Sequence, residues 1–390
     1  MGKKKNAKDV MLPHSVAKVA FYRSYLEKLL SIMSVAKYFT RVNIFDVFCG
    51  RGVYADGGHG SPIQAMEAIQ KVRENYPSNT EFRLYLNDVV KKYVLGVREY
   101  IDEHFQADGL CKVMYLNAPA IRLFKELEGF LLTMPKTSKN LLFIDPYGYK
   151  DIHKDTLKSM MANDRTEILL FLPISFMHRF THYAFDGNAN KGALPLRELI
   201  SEFFPEGHPV RSDDPMDVKQ YIRELTRAFS FDGKYYTTSY FIERDTKNYF
   251  AVFFMTTNLL GLEKAVDTMW ELDEIEGKGF RQPESQSYQQ TMFEEFFKEE
   301  DRKARIEYLR LLIVGFLSKR SRSNAELYEF VLQHGYRIPH ANEVLRSLQN
   351  ENLIEVTMFD NGKPARKGAF YVNYSNAKDK RKPKTVIGLT

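Results

Sequence analysis

Apolar residues recur at helical spacing through residues 14–40. Val16, Val19, Ala20, Tyr25, Leu29, Leu30 and Met33 predict a leading helix there, with Ser15 as its cap. The period then shortens. Residues 42–48 form a short β-rich run that ends in a glycine-containing loop, and Ser61-Pro62 opens the next helix, serine at the cap and proline at the first helical position. The rhythm repeats through strand-like segments at 82–86, 112–116, 140–144 and 167–172, with amphipathic helices between them. Short strands alternating with helices predict a parallel α/β sheet with right-handed crossovers.

The pattern changes after the fifth strand. Residues 174–232 are mixed and polar, with helical pieces at 194–204 and 218–229, and read as a helical insertion. Two longer strand candidates, 235–243 and 249–257, then predict an antiparallel hairpin. Residues 277–290 are polar with glycine and proline, so a linker or helix is expected over 277–300, after an α/β domain over 1–276.

Residues 301–390 predict a winged helix. Ile306, Leu309, Leu312, Ile313 and Phe316 give its first helix an apolar face. Ser323 and Glu326 form a capping box for the second helix, which stops at Gly335; a third runs from Pro339 to about Asn352. Strands at 353–359 and 368–374 would flank a basic wing tip over 360–367, with a basic tail at 378–384.

Composition narrows this picture. A chain of 390 residues favours two domains, and 44% hydrophobic with 27% charged residues is ordinary for a globular protein. No apolar run is long enough to span a bilayer, and the basic N-terminus lacks the apolar stretch of a secretory signal. Cys49 and Cys111 have neither metal spacing nor a pairing pattern, so a reduced, cytoplasmic protein without a structural metal is expected. The net charge of +6 is uneven: residues 301–390 hold 17 Lys and Arg against 9 Asp and Glu. Basic surface at that end is the footprint of phosphate contact, or simply of solubility.

Two motifs carry chemistry. In Asp46-x-Phe48-x-Gly50-x-Gly52, glycines directly after a strand let the backbone turn and approach a ligand closely, and Asp46 is a carboxylate whose burial at a strand end needs a partner. Ala55 stands where the third glycine of a dinucleotide fingerprint would be. Asp145-Pro146-Tyr147-Gly148 lies at the carboxyl end of the fourth strand, where ligands bind in open α/β sheets. Asp145 and the Pro146 carbonyl can accept the two hydrogen bonds of an exocyclic amine, and Tyr147 offers a stacking face for a base. Each motif is also compatible with an ordinary turn.

Five αβ units closed by a hairpin match the seven-strand Rossmann-like sheet of the S-adenosylmethionine-dependent methyltransferases. In that setting Asp46, Phe48, Gly50 and Gly52 would pack against the methionine end and ribose of the cofactor. Asp88, ending strand two, would accept from the ribose hydroxyls, and Asn117, ending strand three, would meet the adenine amine; as plain helix caps both would serve equally. The loop, the Gly60-Ser61-Pro62 helix opening and Phe143–Gly148 together resemble the bacterial three-Cys-motif partner proteins, over roughly residues 14–270. That resemblance implies a methyltransferase-like fold and a genomic partner carrying a three-cysteine motif. More broadly, the pair of motifs is similar to the nucleic-acid amino methyltransferases, although the usual second proline is absent here. The tetrapeptide is closer to the Asp-Pro-Phe-Gly of the transfer RNA guanine-N2 methyltransferases.

The resulting expectation is methyl transfer to an exocyclic amine of a nucleic-acid base, with Asp145, Pro146 and Tyr147 at the reacting centre. Arg179 in the insertion would contact a phosphate, or the insertion would merely cover the sheet. In the winged helix, His340, Asn342 and Arg346 would face bases and Lys363, Arg366 and Lys367 phosphates, unless the module docks protein instead. The competing expectation is a catalytically silent adaptor that brings the three-cysteine partner to a nucleic acid.

Overall fold

Apolar strands separated by amphipathic helices can bury both faces of a parallel sheet, and this chain does so. The computed structural model describes residues 10–106, 109–186, 191–212, 216–245, 247–274, 277, 279–281 and 292–390. Two units emerge, one of Met1–Thr257 with Phe280–Gln282, the other of Asn258–Gly279 with Pro283–Thr390. Among the described residues no helix is long and apolar enough to cross a membrane.

The first unit runs α1 (Pro13–Val35), β1 (Arg41–Asp46), α2 (Ser61–Asn75), β2 (Glu81–Asn87), α3 (Lys91–His104), β3 (Cys111–Leu116), α4 (Ala120–Thr133), β4 (Ser138–Ile144), α5 (Lys154–Met161) and β5 (Thr166–Leu172). Helices α6 (Ile174–Phe185), α7 (Leu194–Phe203) and α8 (Val218–Ala228) then lead to the hairpin of β6 (Tyr236–Asp245) and β7 (Asn248–Thr256). The strand order is β3-β2-β1-β4-β5-β7-β6, with β1 to β5 parallel and β7 antiparallel to both its neighbours. A three-residue strand, β8 (Gly279–Arg281), extends the sheet beyond β6 and makes it eight-stranded. It falls at the start of the expected linker, where Gly and Lys masked any alternation; residues 282–290 lie outside the described residues.

Alternation decides which side chains meet which layer. Phe45, Val47, Leu142, Ile144, Leu170 and Leu172 face a core shared with α4 to α8. Asp46, Phe143 and Phe254 point to the other face, where Tyr22 of α1 stacks on Phe143 at 4.4 Å and Tyr25 meets Phe254 at 4.6 Å. That face also buries a charge: Glu167 accepts from Lys139 at 2.8 Å, from Tyr25 at 2.5 Å and from Thr256 at 2.9 Å. In the insertion, α6 packs on β7 and α8 on β6, so it forms a helical cover over the sheet face.

Two caps differ from expectation. Helix α1 begins at Pro13 after Leu12, leaving Ser15 inside it, and Val16 is exposed while Lys18 is buried. Helix α2 has Gly60 as its N-cap, with Ser61 as its first residue.

The second unit contains α9 (Leu259–Leu272), α10 (Met292–Leu317), β9 (Arg322–Ser323), α11 (Asn324–Gln333), α12 (Ile338–Asn350), β10 (Ile354–Met358), α13 (Tyr374–Ala377) and β11 (Thr385–Leu389). Its strands form an antiparallel sheet in the order β10-β11-β9. The Ser323–Glu326 capping box opens α11 as the sequence indicates. Helix α9 groups with this unit, so the division falls at Thr257 instead of residue 276. Polar contacts explain why: Trp270 Nε1 donates to the Gly335 carbonyl at 2.8 Å, Arg337 to Asp267 at 3.2 Å, and Tyr328 to Glu263 at 2.5 Å.

Residues 368–374 are not the second strand. Positive φ at Gly368 (80°) and Tyr371 (54°) breaks the extended path, and the partner of β10 is β11. The basic 378–384 segment is therefore no tail but the approach to β11. Lys380 pairs with Glu329, and the Lys384 backbone donates to Asn324 Oδ1 at 2.8 Å.

Candidate active site

The sheet order reverses between β1 and β4, the place beyond whose carboxyl ends ligands bind in open α/β sheets. The loop after β1 shapes one side of it. Gly50 and Gly52 take φ of +62° and +73°, and a Cβ on Gly52 would lie 2.7 Å from Val97 Cγ2, so this turn requires glycine. Asp88, almost fully buried, accepts from Gly50 N at 3.0 Å and from Val90 N at 2.8 Å. It therefore ties the glycine loop to the end of β2 and also turns the chain into α3. Asn87, which the sequence reading passed over, bridges Val47 and Ala118 through its side chain. Asn117 donates to the carbonyls of Asp88 at 2.8 Å and Val89 at 3.0 Å, which aims its own oxygen elsewhere as an acceptor. It does not cap α4, whose N-cap is Pro119. Phe48 packs against the core below the loop.

Asp46 is wholly buried, and its two oxygens, close to the Ser61 hydroxyl and the Phe48 backbone, find no well-formed hydrogen bond among the described residues. Burial, with Asp145 nearby, lifts its pKa to about 7 against the pull of Ser61 and Lys18. An unsatisfied buried carboxylate beside a tight glycine turn fits a ligand that brings donors or positive charge.

The same burial has a pH signature. Between 3.8 and about 7 the folded chain holds a proton that the unfolded chain has released, so stability falls as pH rises through that window. The loss is ~1.4 kcal/mol for each unit separating the two values. Urea midpoints of the ligand-free protein at pH 5 and pH 8 should differ less in Asp46→Asn than in the wild type. Equal differences in the two proteins would show that Asp46 is not protonated by burial.

Beyond β4, Asp145 is partly exposed and forms an ion pair with Lys18 of α1. Pro146 is buried, whereas Tyr147 is 85% exposed. Lys18 is the residue the sequence reading missed. Its ammonium lies 4.7 Å above the Phe171 ring, which stacks on Phe250, which in turn stacks on His14 at 4.3 Å. The clue was present: Lys18, Tyr22, Tyr25 and Leu29 follow one helical face, all of them buried.

The remaining candidates divide. Arg179 is exposed on α6, and its guanidinium donates to the Lys247 carbonyl at the β6–β7 turn. In the second unit, Arg346, Lys363, Arg366 and Lys367 are exposed and Asn342 half-buried. His340 is not available to a base. It is buried edge-on against Trp270 at 4.3 Å, and desolvation lowers its pKa to about 4.

A parallel sheet of this order closed by a reversed hairpin is the arrangement expected of Rossmann-like methyltransferases. Solved structures of that kind resemble the chain. The O-methyltransferase TomG from Streptomyces achromogenes, in complex with SAM, is 13% identical and covers 61% of this chain and 80% of its own, with a TM-score of 0.34. An O-methyltransferase from Bacillus cereus in complex with SAH is 13% identical over 60% and 80%, with a TM-score of 0.32. Loganic acid methyltransferase with SAH is 10% identical over 69% and 85%, with a TM-score of 0.28. Likeness of this order says nothing of substrate. No family model and no curated protein matches the sequence.

Proposed function

We propose that the chain is an S-adenosylmethionine-dependent methyltransferase acting on an exocyclic amine of a nucleic-acid base, targeted by its C-terminal module. The observation that carries this reading is the juxtaposition, on one sheet face, of the unsatisfied Asp46 beside the glycine loop and the Asp145-Pro146-Tyr147 segment with its exposed tyrosine. Asp46, Gly50 and Gly52 would hold the methionine end of the cofactor, Asp88 the ribose and Asn117 Oδ1 the adenine amine. When bound, the cofactor supplies a methyl group on a positively charged sulfur. Asp145 and the Pro146 carbonyl accept from the substrate amine and aim its lone pair, and Tyr147 stacks on the base. An inventory of methylated nucleosides by mass spectrometry, in cells with and without the protein, tests this. A missing N-methylated base is expected; identical inventories would contradict it.

Three helices and a sheet in the order β10-β11-β9, with β9 between the first two helices α10 and α11, support a winged helix whose wing is the long 359–384 connection. Lys363, Arg366 and Lys367 on that connection would contact phosphates, with Asn342 and Arg346 toward bases. Replacing the three wing residues by alanine should weaken binding to all sequences alike. It should also shallow the salt dependence by up to ~0.9 per lost B-DNA phosphate contact. Binding titrations across salt concentrations read this, and an unchanged slope removes the wing from the interface.

A further inference from the structure

We propose that Lys18 is a positioning residue that reserves Asp145 for the substrate amine by keeping it from acting as a counter-ion to the cationic cofactor. This rests on the cofactor reading above. Two carboxylates, Asp46 and Asp145, share the α1 face of the sheet, and the charge of Asp145 helps raise the pKa of Asp46. Lys18 is the cation built between them. It pairs with Asp145, its side chain is only 11% exposed, and its ammonium lies over Phe171, so it is held in place where a surface lysine would extend into water.

The charges count simply. With both carboxylates ionised, one ammonium leaves one uncompensated negative charge, which matches the single positive charge of a sulfonium. Without Lys18 the same face would carry two, and Asp145 would become a second electrostatic partner for that sulfonium. Held by Lys18 at one oxygen, Asp145 instead keeps its other oxygen for a neutral donor such as an amine.

S-adenosylmethionine and S-adenosylhomocysteine differ at the sulfur by one methyl and one positive charge, so their affinity ratio reads the net charge of this face. Calorimetric titration of the chain at pH 9.0, where Asp46 stays ionised without the pull of Lys18, with each compound, for wild type, Lys18→Met, Lys18→Gln and Lys18→Arg, makes the test. Both neutral variants should raise the preference for the sulfonium roughly three- to thirty-fold, the range expected for one added charge several ångströms away in a partly screened site. Lys18→Arg should keep the wild-type ratio. A lysine that only props up the fold would lower both affinities together, so an unchanged ratio in both neutral variants overturns the proposal while leaving the cofactor reading intact. A wild type that binds neither compound overturns both. Circular dichroism identifies any variant that fails to fold, and the second neutral variant then carries the comparison.

Discussion

Replacing Asp145 with alanine should lower methyl transfer by at least about 100-fold while leaving the affinity for S-adenosylhomocysteine, whose sulfur is uncharged, within about threefold of wild type. The asymmetry follows from place. Asp145 stands at the end of β4, two residues beyond the Phe143 that pairs with Asp46 across the sheet, and is proposed to contact the reacting amine instead of the cofactor. An interaction that matters most as the nitrogen attacks appears in turnover at saturating cofactor, beyond any change in ground-state binding. Single-turnover rates at saturating substrate, with calorimetric affinities alongside, check both halves. Because the alanine variant strands Lys18, the isosteric Asp145→Asn serves as the control for folding. Activity retained in Asp145→Ala would remove this carboxylate from the chemistry.

Glu167→Ala should be among the most damaging single changes to the first unit, costing about 3–5 kcal/mol. Glu167 is 1% exposed and receives Lys139, Tyr25 and Thr256, so its loss leaves a buried ammonium and two buried hydroxyls without their acceptor. Urea unfolding of the two proteins under identical conditions measures it, and a loss below about 1 kcal/mol would show that water reaches Lys139. Lys139→Met combined with Glu167→Leu should recover much of the loss, since a well-packed apolar pair can replace a buried ion pair.

The α/β half was legible because its signal is periodic. Five apolar runs, each ending in a turn residue, and a hairpin of alternating residues leave little choice of sheet. Charged residues inside that pattern were harder to place. Lys18 shares the helical face of Tyr22, Tyr25 and Leu29, which points it inward, but its partner lies 127 positions away and leaves no local mark. His340 was misplaced for a different reason. It shares a four-residue spacing with Val344 and Leu348, which points it inward, and analogy with recognition helices overrode the period. Strand β11 escaped because five residues after a basic cluster resemble a frayed end, whereas positive φ at Gly368 and Tyr371 is invisible in the alternation of 368–374. Asp46, Asp88 and Asp145 were legible as strand-end carboxylates, but not their partners, which come from elements distant in sequence.

Transfer of a labelled methyl group from S-adenosylmethionine to total DNA and RNA by the 390-residue chain decides whether it is a nucleic-acid methyltransferase. Label is expected on the exocyclic nitrogen of a base, present with wild type and absent with Asp145→Ala. No label in either polymer would contradict it.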